Sequence, residues 1–542
     1  MLRRTWRPLA VAAVVGPPIY WYYSRRSLDI ETFDITVREV GPDGKSRKTV
    51  RTIPMLSKNA VDALIREHAT LENRRLSDGR IWRVSTAYLA SNDPIEDRNA
   101  YAVIPKSPLL PSERLYVAVM DGHAGFHTSQ LLSRALIPAV AAELAEASKP
   151  PPLPSLFQKL LSAFSSQQTF TMTASTEHPS PEQVSRAIQT AFSELDYEIV
   201  TAPLKLFAAN LNQNSLKQDA IPDLSDNKLA LAALQPALSG SCALMAILDP
   251  SSQNMHVACT GDARAVAGFW EDGEDGKGRW RVEVLSEDQT GRNPNELSRI
   301  RSEHPPEEAD HVVMRGRILG GLEPSRAFGD ARYKWPVPLQ EALSKAFSKS
   351  NSLVFRSPPS LLKTPPYVTA TPVVTHRKMS LPLPGLTSAS SSSSMRFVVL
   401  ATDGLWDQLS SKEAVLLVGG YLQGLKGTVP KSSLPLLVLT NDGTKGIDGK
   451  ETRGREQQDG SWAFVDDNIS AHLIRNAFGG GDEVMLRQML SIPAPYSRRY
   501  RDDITVTVVW WDEDGREEQQ VSTNTPDQSS ATNYSFGQQY GR

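Results

Sequence analysis

Short β-branched apolar runs alternate with helical periodicity along this chain. In "LYVAVMDGHAG", residues 115–125, an apolar run ends in an acid, a glycine and a histidine. In "FVVLATDGLWD" the run likewise meets an acid and a glycine, and in "YRDDITVTVVWW" a pair of acids precedes the run. Runs this short and this rich in Val, Ile and aromatics predict buried strands, as do "SGSCALMAIL" and "MHVACTGDARAVAG". Val184, Ile188, Phe192, Leu195 and Ile199 instead recur at the spacing of one helix face. Long helices and several buried strands sharing one core make an α+β class. No internal repeat is present. Residues 149–182, 336–394 and 425–459, and the polar end after Asp512, are rich in Pro, Ser, Gly or charge. Such compositions bury too little apolar surface to offset ordering entropy, so these stretches are expected as loops or tails outside the core.

The acids fall at the ends of the predicted strands. Asp121 follows "YVAVM", Asp403 follows "FVVLAT", Asp502 and Asp503 precede "ITVTVV", and Glu96-Asp97 stand ahead of Ala102-Val103. A single carboxylate in such a place is ordinarily a turn former or a helix cap. Several at one end of a sheet repel one another unless protonated or bridged by a cation. For an all-oxygen donor set that cation is hard, Mg²⁺ or Mn²⁺. No Cys/His cluster recommends zinc. Glycine after Asp121 and after Asp403 would let the chain turn sharply and bring a carbonyl close to whatever the acid holds. A pair of ions could activate water as a nucleophile and neutralise a phosphoryl group. His123 could then protonate a leaving oxygen, its unperturbed pKa of roughly 6.5 lying near working pH.

Composition narrows the class further. The 542 residues are 40% hydrophobic and 22% charged, which suits a soluble globular chain with a sizeable core. Lys+Arg 59 against Asp+Glu 61 leaves a net charge of −2, so no basic field recommends nucleic acid as a partner. The two cysteines, Cys242 and Cys259, lie in apolar stretches and read as core thiols, excluding a disulfide framework. At the N-terminus, Arg3, Arg4, Arg7, Arg25 and Arg26 precede the first acid, Asp29, the bias of a mitochondrial presequence. The apolar run 9–23 falls short of a comfortable span of roughly 20 residues and is interrupted by Pro17-Pro18. Its aromatic end, backed by Arg25-Arg26, would still suit an inner-membrane anchor. A secretory signal fits less well, because no small-residue cleavage site follows the run.

In order along the chain, "SNDPIEDR", "VAVMDGHAG", "SGSCALMAIL", "CTGDARAVAG", "LSEDQTGRNPNELSRIRSEHP", "ILGGLEPSRAFGDARYKW", "FVVLATDGLWDQLS" and "YRDDITVTVV" resemble the type 2C, or PPM, metal-dependent serine/threonine protein phosphatases. Within that family, "SNDPIEDR" and "RAFGDARYKW" look most like the mitochondrial pyruvate dehydrogenase phosphatase branch. The resemblance implies an α/β/β/α sandwich of two antiparallel sheets flanked by helices, with a dinuclear metal site at one edge. It divides the chain into a presequence and anchor over 1–28, a lead-in over 29–80, a phosphatase domain over 81–511 carrying the three insertions, and a tail over 512–542.

Carried over residue by residue, the resemblance implies that Asp121 bridges two Mg²⁺ or Mn²⁺ ions and the Gly122 carbonyl binds one. Asp403 and Asp502 would complete the ligand shells, and Glu96 would hold a metal-bound water. His123 matches the general acid. Asp262 and Asp407 match acids tied to a third, weaker ion in some members. Asp97 and Asp503 would orient neighbours by hydrogen bonding. One position departs: many members place a phosphate-gripping arginine four residues before the glutamate, where this chain has Asn92. That leaves phosphate binding more to the metals or another arginine, and Arg98 is near in sequence. The implied substrate is a phosphoprotein, with the pyruvate dehydrogenase E1α subunit as candidate. Retention of Asp121, His123, Asp403 and Asp502 favours an active enzyme over an inert, regulatory relative.

Overall fold

The computed structural model describes residues 31–40, 45–107, 110–148, 179–211, 221–273, 277–350, 353, 355–381, 393–441, 443, 446 and 459–512. The run 9–23 and most of 149–182 lie outside them. No helix among the described residues is long and apolar enough to cross a membrane.

Two sheets are packed face to face. One holds five antiparallel strands in the order Val373–Lys378, Asn254–Thr260, Ala243–Asp249, Leu110–Met120 and Arg98–Ser107. The other holds seven. Arg264–Asp272, Ser393–Ala401, Ile504–Asp512 and Ile81–Leu89 run antiparallel through its centre, and only the edge pair of Gly278–Val284 with Thr440–Asn441 is parallel.

The strands are continuously apolar because both of their faces are covered. Along Leu110–Met120, Leu115, Val117 and Val119 face the core between the sheets. Tyr116, Ala118 and Met120 face the helices His127–Ala147 and Pro181–Ala209. On Ser393–Ala401, Val398 and Leu400 point inward, while Phe397, Val399 and Ala401 meet the helices Ser411–Leu422 and Ile469–Ala477. Period-2 alternation of side chains thus sorts one apolar run into two cores. The result is the expected α/β/β/α sandwich.

The helical stripe Val184, Ile188, Phe192 and Ile199 is buried on Pro181–Ala209, whose start carries a capping box between Ser180 and Gln183. Cys242 and Cys259 are free and buried.

Three stretches depart from expectation. The lead-in 29–80 is structured: the hairpin Thr32–Val40/Ser46–Pro54 packs Ile35, Val37 and Ile53 against Ile492, and Thr70–Arg75 forms an edge strand of the seven-stranded sheet. The sandwich therefore begins before residue 81. The stretch 336–394, expected outside the core, supplies the helix Val337–Ala346 and the edge strand Val373–Lys378. Its Tyr367, Val368, Ala370 and Met379 are buried. Averaged over the whole stretch, Pro and Ser conceal these short apolar segments. Within 425–459, Gly427–Pro430 is a strand paired with Ser461–Phe464, and Leu434–Leu437 is a single helical turn.

Candidate metal centre

The sheets deliver acids to one edge of the sandwich. Asp121 follows directly on Leu110–Met120 of the five-stranded sheet. Asp262 lies in the connection that crosses from Asn254–Thr260 in that sheet to Arg264–Asp272 in the other. Asp403 follows Ser393–Ala401 and opens the short helix Asp403–Trp406. One carboxylate oxygen from each of Asp121, Asp262 and Asp403 lies within 4.8 Å of the others. Asp262, expected only at a third, weaker ion, thus stands in the cluster beside Asp121 and Asp403.

The two glycines also answer a close approach of backbone. Neither Gly122 nor Gly404 has a positive φ. Instead, a Cβ on Gly122 would lie 2.2 Å from the Glu96 carbonyl oxygen, and one on Gly404 would lie 2.1 Å from the Asp503 carbonyl oxygen. The glycines let neighbouring backbone close against the acids.

Asp121 is pushed well above the usual carboxylate range by burial, then by the charges of Asp403, Asp97 and Asp262. Asp97 is pushed up likewise, by burial and then Asp503. A divalent cation would relieve this repulsion, and the donors are oxygens. The Cys242 thiol donates to Asp262 Oδ1 at 3.2 Å, and burial raises its pKa far above normal, so it stays protonated rather than serving as a thiolate ligand. The residues fit Mg²⁺ or Mn²⁺ and not zinc.

The acids floor a cleft of about 670 Å³ that Asp502, His123 and several arginines also line. Asp502 stands beside the cluster rather than in it: its Oδ1 accepts from the Asp503 amide at 2.7 Å and pairs with Arg498. Glu96 is held from two sides, Oε1 accepting from the Gly125 amide at 2.5 Å and Oε2 from Asn92 Nδ2 at 3.0 Å. Burial, with Asp503 adding to it, raises the Glu96 pKa. Asp503 gathers the loop: Oδ1 accepts from the amides of Ser91 and Asn92, and Oδ2 from the Glu96 amide and Asn92 Nδ2. Asp97 Oδ2 accepts from the Thr402 hydroxyl at 2.8 Å. Both acids orient neighbours, as expected. Asp407, one turn beyond Asp403, does not line the cleft.

Asn92 is occupied with Glu96 and Asp503. Arg98 is no substitute for the missing arginine, because its guanidinium donates to the carbonyls of Ile95 and Asp97 and sits 5.6 Å from the Phe126 ring centre.

His123 has a partner that sequence reasoning missed. Its Nε2 lies 2.6 Å from Asp330 Oδ2. Asp330 adopts a left-handed backbone, φ 49°, and its amide donates to the Ser239 carbonyl at 2.9 Å. A Cβ on Gly240 would lie 2.1 Å from His123 Nε2 and 2.4 Å from Asp330 Oδ2, so glycine makes room for the pair. Burial alone would lower the imidazole pKa. The Asp330 carboxylate, helped by Asp262 and Glu96, reverses this and raises it above 6.5. Asp330 lies inside "RAFGDARYKW", but nothing local in that motif points it at a histidine more than 200 positions away.

Residues 175–423 match the family described as Protein phosphatase 2C. A fission-yeast relative, the protein phosphatase 2C homolog C10F6.17c of Schizosaccharomyces pombe, is 36% identical over 440 residues, covering 80% of this chain and 81% of its own. The chain belongs to the protein phosphatase 2C family. It is also 32% identical to the mitochondrial [pyruvate dehydrogenase [acetyl-transferring]]-phosphatase 1 of Saccharomyces cerevisiae, over 86% of this chain and 74% of that one. To the human protein of the same name it is 33% identical, over 78% and 76%. As a protein phosphatase 2C, it is a metal-dependent serine/threonine protein phosphatase.

Proposed function

We propose that this phosphatase acts in mitochondria on the phosphoserine of the pyruvate dehydrogenase E1α subunit. The observation that carries the reading is likeness over most of the chain to relatives named as mitochondrial pyruvate dehydrogenase phosphatases, at 32% and 33% identity. The arginine-rich, acid-free start supports the address.

In this reading Asp121, Asp403 and Asp502, with the Gly122 carbonyl, would hold two cations. Asp262, clustered with Asp121 and Asp403, would contribute a further carboxylate, and Glu96 would orient a water there. Bound there, Mg²⁺ or Mn²⁺ would neutralise phosphoryl charge and activate water for attack on phosphorus. His123 keeps Nε2 against Asp330, which leaves Nδ1 to carry the proton that passes to the serine oxygen as the P–O bond breaks. Asp330 holds the ring in place and favours its protonated form.

The test is release of phosphate from phosphorylated, inactive pyruvate dehydrogenase complex by the purified full-length chain, with Mg²⁺ or Mn²⁺ and with chelator. Restored dehydrogenase activity in the presence of the cation is expected. Brisk hydrolysis of an aryl phosphate that leaves the complex phosphorylated would remove this substrate and keep the enzyme class. For the address, a fluorescent fusion of the full chain should reach mitochondria and one lacking residues 1–28 should not.

A further inference from the structure

A phosphate monoester dianion entering an acid-floored cleft needs a donor besides the cations, and Asn92 and Arg98 are committed elsewhere. Four arginines line the cleft: Arg317, Arg332, Arg356 and Arg498. Arg317 pairs with Glu323 and donates to the Gly321 carbonyl, and Arg332 donates to the Ser357 carbonyl at 2.8 Å. Arg498 alone of the four is paired with an acid of the expected metal set, Asp502.

From these placements we infer that Arg498 grips the substrate phosphoryl group, taking the part that Asn92 cannot. The inference rests on the phosphatase reading of the same cleft. Arg498 lies on the single turn Ser497–Arg499, and that turn is stitched to the residue before Asn92. The Ser497 hydroxyl donates to the Ser91 carbonyl at 2.5 Å, and the Ser91 hydroxyl donates back to the Arg501 carbonyl at 2.7 Å. The guanidinium therefore enters the cleft beside the 91–96 loop. Its side chain is 43% exposed, and an ion pair that open to solvent contributes little to folding, so stability does not account for it. A guanidinium fork matches two phosphoryl oxygens at once, which neither an asparagine nor a lysine does.

The experiment compares wild-type, Arg498→Ala and Arg498→Lys full-length chains in two calorimetric titrations, Mn²⁺ first and inorganic phosphate into the Mn²⁺-saturated protein second, alongside aryl phosphate hydrolysis. For Arg498→Ala, phosphate affinity should fall and KM rise by roughly tenfold to hundredfold, the range for a lost charge-assisted hydrogen bond, while Mn²⁺ affinity changes by less than about threefold. Arg498→Lys should recover only part of the loss. Unchanged phosphate affinity at saturating Mn²⁺ overturns the inference, as does a Mn²⁺ affinity that falls as far as the phosphate affinity, since Arg498 would then serve only to hold Asp502. If instead wild-type chain hydrolyses nothing with either cation, it is the phosphatase reading that fails.

Discussion

The two halves of the site are built by different means. Asp121, Asp262 and Asp403 issue from strands buried on both faces, so the packing of two cores sets where they point. Asn92, Glu96, Arg498 and Asp502 ride on connecting segments that hydrogen bonds hold in place, gathered by Asp503 and Ser91. Behind that wall stands the N-terminal hairpin. Tyr500 Oη donates to the Thr36 carbonyl at 3.1 Å and Arg499 to the Arg38 carbonyl at 3.1 Å, while Ile492 fills the hairpin's small core. A floor set by packing tolerates the loss of one polar group without moving. A wall set by hydrogen bonds shifts as each bond is removed.

The sharpest break should come at the floor. Asp121→Asn is expected to lower Mg²⁺- or Mn²⁺-dependent hydrolysis by about 10³-fold or more, beyond the 10–100-fold typical of residues that only orient ligands. In chelator the same variant should melt no lower than wild type. The sign follows from the raised Asp121 pKa: at pH above the usual carboxylate range, ionising this group in the fold costs more than in the unfolded chain, so removing its charge relieves the metal-free protein. A clear loss of metal-free melting temperature would mean that Asp121 holds the fold together rather than a cation.

Next in size is the His123–Asp330 pair. His123→Ala should cost about 10²–10⁴-fold on alkyl phosphates, whose leaving group needs a proton, and much less on aryl phosphates with acidic leaving groups. Equal losses on both would contradict proton donation. Asp330→Asn removes the charge that raises the imidazole pKa, so the alkaline fall in kcat for alkyl phosphates should move to lower pH. A pH profile that stays in place would separate Asp330 from the proton.

The wall should respond more gently. Asp503→Asn disturbs contacts to Ser91, Asn92 and Glu96 and is expected to weaken cation affinity or activity by about 10–100-fold without unfolding the chain, measured by Mn²⁺ titration and thermal melting. Tyr500→Phe removes one bond between the hairpin and the wall. It should cost about 1 kcal/mol of stability or less in denaturant titration and change KM by less than about twofold. A larger rise in KM would mark the hairpin as a determinant of the wall's geometry.

Legibility in the sequence divides along the same line. Asp121, Asp403 and His123 could be found because a strand buried on both faces leaves a continuous apolar run, and an acid interrupting that run is conspicuous. Asp262 lies at a comparable interruption, in "CTGDARAVAG", but its place in the cluster depends on a connection that crosses between sheets. The N-terminal hairpin read as a lead-in because only one of its faces is apolar, and the residue covering that face, Ile492, is far away in sequence.

By itself the sequence determined the local periods: which continuously apolar segments are strands, which face of Pro181–Ala209 is buried, and that several acids end strands. Those follow from spacing over a few residues, where side-chain direction is set by backbone geometry. Tertiary structure alone decided which acids meet, that Asp330 and not a neighbour in sequence holds His123, and that Arg498 and not Arg98 reaches the cleft. The physical reason is that each of these is a contact between distant segments, fixed by sheet order and by how the layers pack. Of two arginines that both lie within a few residues of the site's acids, Arg98 and Arg498, one guanidinium is spent on backbone carbonyls and the other faces the cleft.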